Sequence, residues 1–168
     1  MKSKKVTLLG KYKTYTFMKG IFTLSTKWDH RYLEVARVVG TWSKDPSTQI
    51  GAVAVGLKGQ ILAQGYNGFA RGIFDDIDRY EDRPTKYKYI VHAEQNLIYN
   101  ATYNGVSLDK SILYVTGLPV CSECAKGVIQ VGIQRVVMPK DFDIKGWGDS
   151  WELSASMFRE AGVLYEFI

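Results

Sequence analysis

The spacing of apolar residues divides the first half of the chain into helical and strand-like segments. From Trp28 to Trp42 apolar side chains recur at helical intervals, and Asp29 stands where a helix cap is expected. The short apolar runs 50–57 and 60–66 flank a Lys-Gly-Gln turn and predict a β-hairpin. Residues 71–88 are charged and aromatic without a clean period, which predicts a long surface loop with room for a helical turn.

The second half of the chain alternates between segments with the apolar spacing of helices and segments with that of strands. The pattern predicts helices over 93–103, 122–132 and 150–163, the last ending near Gly162, and strands over 111–117, 134–139 and 164–168. Strands that alternate with helices favour a mixed or parallel sheet covered on both faces. The expected fold class is therefore α/β, with three layers (α/β/α) and a mixed sheet of about five strands.

Composition is that of an ordinary globular chain. Of 168 residues, 46% are apolar and 23% are charged, which fits one domain with a substantial core. Every apolar run is shorter than the ~20 residues that a membrane span needs. The first run, at Val6–Gly10, is too short for a secretory signal. A cytoplasmic location is the default expectation.

The net charge of +5 is concentrated at the N-terminus. Residues 1–28 contain seven of the 22 basic residues and none of the 17 acidic ones, so the remainder carries 15 basic and 17 acidic residues. We therefore divide the chain into a basic N-terminal arm, 1–27, and a single domain, 28–168. The arm fits a solvated tail, a phosphate-binding arm, or an over-long start if Met18 initiates the chain. The near-neutral domain gives little reason to expect polynucleotide binding.

The only two cysteines of the chain, Cys121 and Cys124, are spaced as on one helical turn. This spacing suits zinc, and the start of a helix favours the thiolate form. A single Cys-x-x-Cys pair is equally compatible with a redox pair or with plain packing.

His92 opens the predicted helix 93–103, with Glu94 two residues later. A lone histidine at such a position is more often a packed core residue than a ligand. One histidine with two cysteines, however, gives three zinc ligands and leaves a fourth position for water, as in catalytic zinc sites. The other histidine, His30, is expected to be exposed on the first helix. Glu94 then fits a proton shuttle beside the metal, because His-x-Glu followed by Cys-x-x-Cys is the signature of zinc-dependent base deaminases.

From Trp28 onward the sequence resembles the deoxycytidylate (dCMP) deaminases of the cytidine deaminase superfamily. The resemblance rests on four segments, which are SKDPSTQIGAV (43–53), GYNGFARG (65–72), VHAEQNLI (91–98) and CSECAKGVIQVGI (121–133). The first two distinguish the dCMP branch, whereas the other two are common to the superfamily. Two departures are Val120 between Pro119 and Cys121, and Ala70, where relatives often have proline.

The resemblance implies a cytidine-deaminase-like fold and a set of site residues. Zinc would be held by His92, Cys121 and Cys124, with Glu94 as the catalytic proton shuttle. Asn67 would contact the sugar or base of the substrate. Ser43 and Lys44 would lie near its phosphate, together with loop residues as further candidates (Arg79, Arg83 and Lys86).

The implied activity is a hydrolase acting on the C–N bond of a cyclic amidine. By this resemblance, bound zinc would activate a water molecule for attack on C4 of dCMP, which would release ammonia and dUMP for thymidylate synthesis. The alternative is a deaminase of another cytosine or adenine substrate, either a free nucleoside or a polynucleotide. A zinc-stabilised module that binds nucleotides without converting them is a further alternative.

The resemblance also suggests regulation and assembly. Many relatives respond to dCTP or dTTP, so an effector nucleotide bound with Mg²⁺ is a candidate ligand, although Ala70 and Trp42 depart from the regulated pattern. Relatives commonly form dimers or hexamers. The apolar segments 38–42 and 151–158 could serve such contacts, and core packing explains them equally well.

Overall fold

The computed structural model of the chain describes residues 8–9, 12–13, 26–141 and 146–168. The basic arm predicted for 1–27 therefore lies largely outside the described residues. Within it, β1 (Leu8–Leu9) pairs antiparallel with β2 (Tyr12–Lys13). Among the described helices, none combines the length and the apolar character that crossing a membrane requires.

The remaining elements follow the predicted alternation. In chain order they are α1 (Thr26–Gly40), β3 (Gly51–Val55), β4 (Ile61–Tyr66), β5 (Gly68–Phe69), α2 (Ile77–Glu81), α3 (Arg83–Tyr89), β6 (Ile90–Val91), α4 (Ala93–Tyr103), β7 (Ile112–Thr116), α5 (Ser122–Gln130), β8 (Arg135–Met138), α6 (Gly148–Ala161) and β9 (Leu164–Phe167). Helix α6 ends at Gly162, whose φ of 73° is the left-handed conformation that glycine adopts without strain.

The five-stranded mixed sheet predicted from the sequence is confirmed. Its order is β4-β3-β7-β8-β9, with β3 antiparallel to both of its neighbours and β7, β8 and β9 mutually parallel. Helix α1 packs on one face through Leu33 and Ala36, against Val53 and Tyr114 of the sheet. Helices α4, α5 and α6 pack on the other face. The fold is thus a three-layer α/β/α sandwich.

The prediction that Asp29 caps α1 is wrong. The helix begins at Thr26, and Asp29 is buried one turn in. Its carboxylate accepts two hydrogen bonds from Arg135, at 2.8 and 3.0 Å, and one from the Tyr114 hydroxyl at 2.7 Å. Arg135 also pairs with Glu166 of β9. This buried cluster joins α1 to three strands. His30, its neighbour in sequence, is exposed as expected.

The segment 71–88, predicted to be mainly a loop, contains two short helices. Asp76 caps α2, and its carboxylate accepts a hydrogen bond from the backbone of Asp78. Asp82 caps α3 in the same way, and Pro84 occupies the first turn of that helix. The segment is anchored by Tyr80, which stacks on Phe69 with ring centroids 4.1 Å apart.

Candidate active site

His92, Cys121 and Cys124 meet above the sheet. His92 directly precedes α4 and Cys121 directly precedes α5, so both residues sit at a helix start that follows a strand or its connecting loop. The Nδ1 atom of His92 lies 3.3 Å from the Cys121 sulfur and 3.4 Å from the Cys124 sulfur. The three possible ligand atoms lie within 4.8 Å of one another. The group predicted from the sequence is therefore assembled.

This donor set fits zinc in both chemistry and geometry. Zinc bonds are about 2.0–2.1 Å long to nitrogen and 2.3 Å to sulfur, so tetrahedral zinc separates a nitrogen ligand from a sulfur ligand by about 3.5 Å. The observed separations of 3.3 and 3.4 Å are close to this value. Both cysteines are buried, and neither is in a disulfide. The group could hold a zinc ion through three protein ligands.

The local environment prepares the sulfurs for metal binding. A hydrogen bond from Cys124 lowers the pKa of Cys121 to about 4, against the opposing effect of burial, and His92 acts in the same direction. This shift favours the thiolate form of Cys121, which is the form that binds metals. The neighbouring Cys121, together with burial, raises the pKa of Cys124, so metal binding has to displace its proton.

Glu94 is buried in the first turn of α4, beside the ligand group. Burial raises the pKa of Glu94 to about 7, and the negative charge of Cys121 acts in the same direction. A carboxyl group with this pKa exchanges protons near neutrality, as a general acid and base must. The position suits the proton shuttle predicted from the sequence.

A cavity of about 570 Å³ opens over these residues. Its size is in the range of small-molecule sites. The floor contains His92, Glu94 and Cys121, and one wall contains Trp147, whose ring lies edge-on to His92. The other walls are formed by residues from the 45–50 loop, by Asn67 and by the segment of α2 and α3 (Asp45, Ser47, Thr48, Ile50, Tyr80, Glu81, Arg83, Lys86 and Tyr87).

Asp45 organises the part of the cavity wall formed by the 45–48 loop and α3. Its buried carboxylate accepts hydrogen bonds from the backbone and hydroxyl of Ser47, both at 2.9 Å, and from the backbone of Thr48. Lys86 of α3 places its Nζ 2.6 Å from Asp45 Oδ2. Burial alone would raise the pKa of Asp45, but the hydrogen bonds from Lys86 and Ser47 outweigh it and the pKa is lowered. Asp45 therefore fixes the 45–48 loop and α3 together.

Asn67 lines the cavity, but most of its hydrogen-bonding capacity is already used. Its amide nitrogen donates to Asp45 Oδ2 at 3.2 Å and to the Thr48 carbonyl at 2.9 Å. Its side-chain oxygen accepts the backbone N–H of Ile50 at 2.8 Å. Since an amide has two N–H donors and two acceptor lone pairs, what remains is one lone pair of the oxygen.

Ser43 and Lys44 differ from the sequence-based expectation, because neither lines the cavity. The buried Ser43 hydroxyl donates to the backbone carbonyl of Asn67 at 2.7 Å and supports that residue from behind. Lys44 is exposed and pairs with Asp75 at 2.6 Å. Of the cationic loop candidates, Arg83 and Lys86 line the cavity. Arg79 instead lies over the ring of Tyr89 on the surface.

Several cavity residues were not among the predicted site residues. Asp45 and Ser47 stand next to the segment 43–44 that was singled out, and Asp-Pro-Ser-Thr is a strong turn signal that could have drawn attention to them. Tyr80 and Trp147 carry no local signal, since only the tertiary fold brings them to the cavity.

Comparison with known proteins agrees with this fold and site. Residues 26–140 match the family model of the cytidine and deoxycytidylate deaminase zinc-binding region. A match of this length across the ligand residues and the sheet defines the class of the protein as zinc-binding deaminases. The chain belongs to the cytidine and deoxycytidylate deaminase family.

Individual relatives of this chain are also named as deaminases. An uncharacterized deaminase of Aliivibrio fischeri is 39% identical over 140 residues, covering 82% of this chain and 91% of the relative. The deoxycytidylate deaminase of Mus musculus is 36% identical, covering 83% and 78%. The crystal structure of dCMP deaminase from the cyanophage S-TIM5 with dCMP and dUMP superposes with a TM-score of 0.72 at 23% identity, covering 87% and 100%, and supports the fold.

Proposed function

We propose that residues 28–168 form a zinc-dependent deaminase that hydrolyses dCMP to dUMP and ammonia. The observation that carries the proposal is the buried Glu94 beside a three-ligand zinc group at the floor of a cavity. A purely structural zinc site has four protein ligands and no use for a carboxyl group of raised pKa. The choice of dCMP is supported by a relative of 36% identity named deoxycytidylate deaminase and by one of 40% identity named probable deoxycytidylate deaminase.

In the proposed reaction Glu94 moves the protons. Zinc, when bound, supplies a Lewis acid that lowers the pKa of a water molecule. Glu94 takes a proton from the attacking water and delivers it to N3 of the cytosine ring as oxygen adds to C4. It then carries the remaining proton of the added oxygen to the amino nitrogen, so the C4–N bond breaks, the oxygen becomes the C4 carbonyl and ammonia leaves. The pKa of about 7 suits both directions of transfer.

The nucleotide would lie along the cavity with its base at Glu94. Asn67 can accept one further hydrogen bond through its side-chain oxygen, which suits a sugar hydroxyl and not a carbonyl of the base. This keeps the role of substrate contact predicted for Asn67 but restricts it to an acceptor.

The phosphate would bind at the wall formed by Ser47, Arg83 and Lys86. A dianion requires cationic or N–H donors at a fixed distance from the metal. Lys86 already shares its charge with Asp45, and Arg83 donates through Nε to the Tyr87 hydroxyl at 2.8 Å. Lys86 and Arg83 are thus held in place before substrate binds.

We further propose that the chain forms a homo-oligomer through α1. Trp28, Val35 and Val38 follow one another at intervals of seven and three residues, so they share one face of α1, and all three are exposed. Trp42, also exposed, lies two residues beyond the end of the helix. The segment 151–158, by contrast, buries Trp151 and Phe158 in the core. Val38→Glu should reduce the mass measured by light scattering, whereas Leu57→Glu, at an exposed apolar position outside α1, should not.

We also propose a location for the protein and an effector for the enzyme. Two unpaired, ligand-forming thiols suit a reducing compartment, which supports a cytoplasmic enzyme. Binding of dCTP or dTTP with Mg²⁺ as an effector stays a prediction, which adding either nucleotide to a deamination assay tests.

The function is tested by ammonia release from a panel of dCMP, CMP, deoxycytidine, dCTP and a short single strand, with and without dCTP or dTTP and Mg²⁺. We expect dCMP to have the highest kcat/KM. Glu94→Gln should keep its zinc and lose about 10²–10⁴-fold in turnover. Preference for deoxycytidine or the single strand would establish another deaminase, and zinc binding without ammonia from any substrate would establish a binding module.

A further inference from the structure

Asn96 of α4 links three parts of the active site. Its side-chain amide donates to the backbone carbonyl of Tyr66 at 2.8 Å and, at 3.5 Å, to that of Val91. Its own backbone N–H donates to the carbonyl of His92 at 2.9 Å. Tyr66 directly precedes Asn67, and Val91 directly precedes the zinc ligand His92. One side chain therefore ties α4 to the ends of the two segments that carry site residues.

A second asparagine makes a similar bond farther from the site. Asn100, one turn along α4, donates through its amide to the carbonyl of Gln64 at 3.1 Å. Gln64 and Tyr66 lie two apart on β4, an edge strand of the sheet, so their carbonyls point to the same side. The four-residue spacing on the helix matches this two-residue spacing on the strand. Both asparagines are half-buried.

Between the hydrogen bonds of Asn96 and Asn100, the backbones of β4 and α4 are in direct contact. At Gly65 an added Cβ would lie 2.3 Å from the Ala93 carbonyl and 2.4 Å from the Leu97 nitrogen. Only glycine allows such an approach. The first turn of α4, which carries Glu94, is therefore pressed directly onto β4, and Asn96 fixes its position along that strand.

We propose that Asn96 is a positioning residue for deamination, which sets the place of Glu94 relative to the cavity wall that contains Asn67. This inference rests on the proposed function. The substrate is held at the wall and the proton is moved by Glu94, so the chemical step depends on the distance between them. A displacement of about 1 Å can cost on the order of 10²-fold in rate.

The test compares Asn96→Leu with Asn100→Leu. Both changes replace a hydrogen-bonding amide by an apolar side chain of similar size on the same helix face. Both remove one side-chain hydrogen bond to β4. We expect similar losses of thermal stability and one zinc per chain in both. For Asn96→Leu alone, kcat on dCMP should fall by about 10–100-fold while KM stays within about threefold, because bound substrate is misaligned and not released.

A measurement that does not depend on turnover completes the test. Hydrogen–deuterium exchange of the backbone amides at 92–98 and 66–67, in the zinc-loaded protein without nucleotide, should increase in Asn96→Leu and not in Asn100→Leu. Equal kcat for the two folded, zinc-loaded variants would overturn the inference and assign Asn96 a structural role only. If the wild-type chain releases no ammonia from dCMP, it is the proposed function that fails, and the exchange comparison still decides the positioning role.

Discussion

Lys86 and Asp45 form a buried ion pair across the cavity wall, with Nζ and Oδ2 2.6 Å apart and side chains only 11% and 1% exposed. The pair joins α3 to the loop that precedes β3. Because four more hydrogen bonds from Ser47, Thr48 and Asn67 reach the same carboxylate, the charge on Asp45 is well compensated. This wall is therefore preorganised by polar contacts, whereas the metal side of the cavity is packed on the apolar core.

Lys86→Met should destabilise the protein. It leaves a buried carboxylate without its cation, and the expected loss in the free energy of unfolding is about 2–3 kcal/mol, moderated by the remaining hydrogen bonds. Chemical denaturation measures it. Lys88→Met, an exposed lysine of the same helix, is the control and should change stability by less than about 0.5 kcal/mol.

The effect of Lys86→Met should also depend on pH. The pKa of Asp45 is lowered in the folded state, so its ionisation contributes stability above the unfolded value of about 3.9. That contribution is lost as pH falls through the lower folded pKa. The difference between wild type and Lys86→Met should therefore shrink as pH falls below about 4. A difference that grows with acidification would refute the assigned pair.

The zinc group and the main helices could be predicted because their signals are local. Helix α4 matches the predicted span 93–103, and the ligand spacing of Cys121 and Cys124 is set within one turn. The sheet of about five strands could be predicted because helix and strand patterns alternate along the chain. This alternation indicates a sheet with helices on both faces without knowledge of any tertiary contact.

The polar contacts that shape the cavity could not be predicted in the same way. Asp29 looked like a helix cap, but its partner Arg135 is 106 residues away, and no local pattern reports such a pair. Lys86 and Asp45 are likewise brought together only by the folded chain. The helices α2 and α3 were not predicted individually because they are too short to show a period, and their caps Asp76 and Asp82 become evident only in the structure.

Zinc removal can be followed on the protein itself, because Cys121 and Cys124 are the only cysteines of the chain. In the zinc-loaded native protein we expect slow reaction with a thiol-reactive dye, since both sulfurs are metal-bound and buried. A chelator should release two reactive thiols per chain and abolish ammonia release, and added zinc should reverse both effects. Identical thiol reactivity with and without chelator would contradict the ligand assignment.

Arg135→Met should cost stability without changing the chemistry. The Asp29 carboxylate would stay buried with the Tyr114 hydroxyl as its remaining side-chain partner, at an expected cost of about 3–5 kcal/mol in unfolding free energy. The cluster lies beneath α1, on the opposite face of the sheet from α4 and α5, so kcat of the folded variant should equal that of wild type.

The surface residue Arg37, paired with Asp141 at 3.8 Å, provides the matched control for this change. Arg37→Met should alter stability by less than about 1 kcal/mol, because exposed ion pairs contribute little. The double variant Arg135→Met with Asp29→Leu should be more stable than the sum of the two single losses predicts, since it removes the stranded charge. Additive losses would show that the two side chains act independently.

Gly65→Ala tests the contact between β4 and the turn that carries Glu94. The new methyl group would lie 2.3 Å from a backbone carbonyl and 2.4 Å from a backbone nitrogen, so α4 has to move. We expect a loss of about 2–3 kcal/mol in unfolding free energy and a clear fall in kcat on dCMP. Gly148→Ala, whose added carbon meets nothing within 4 Å, is the control for replacing glycine by alanine. It should leave kcat unchanged, and unaltered turnover in Gly65→Ala would mean that Glu94 tolerates movement of its helix.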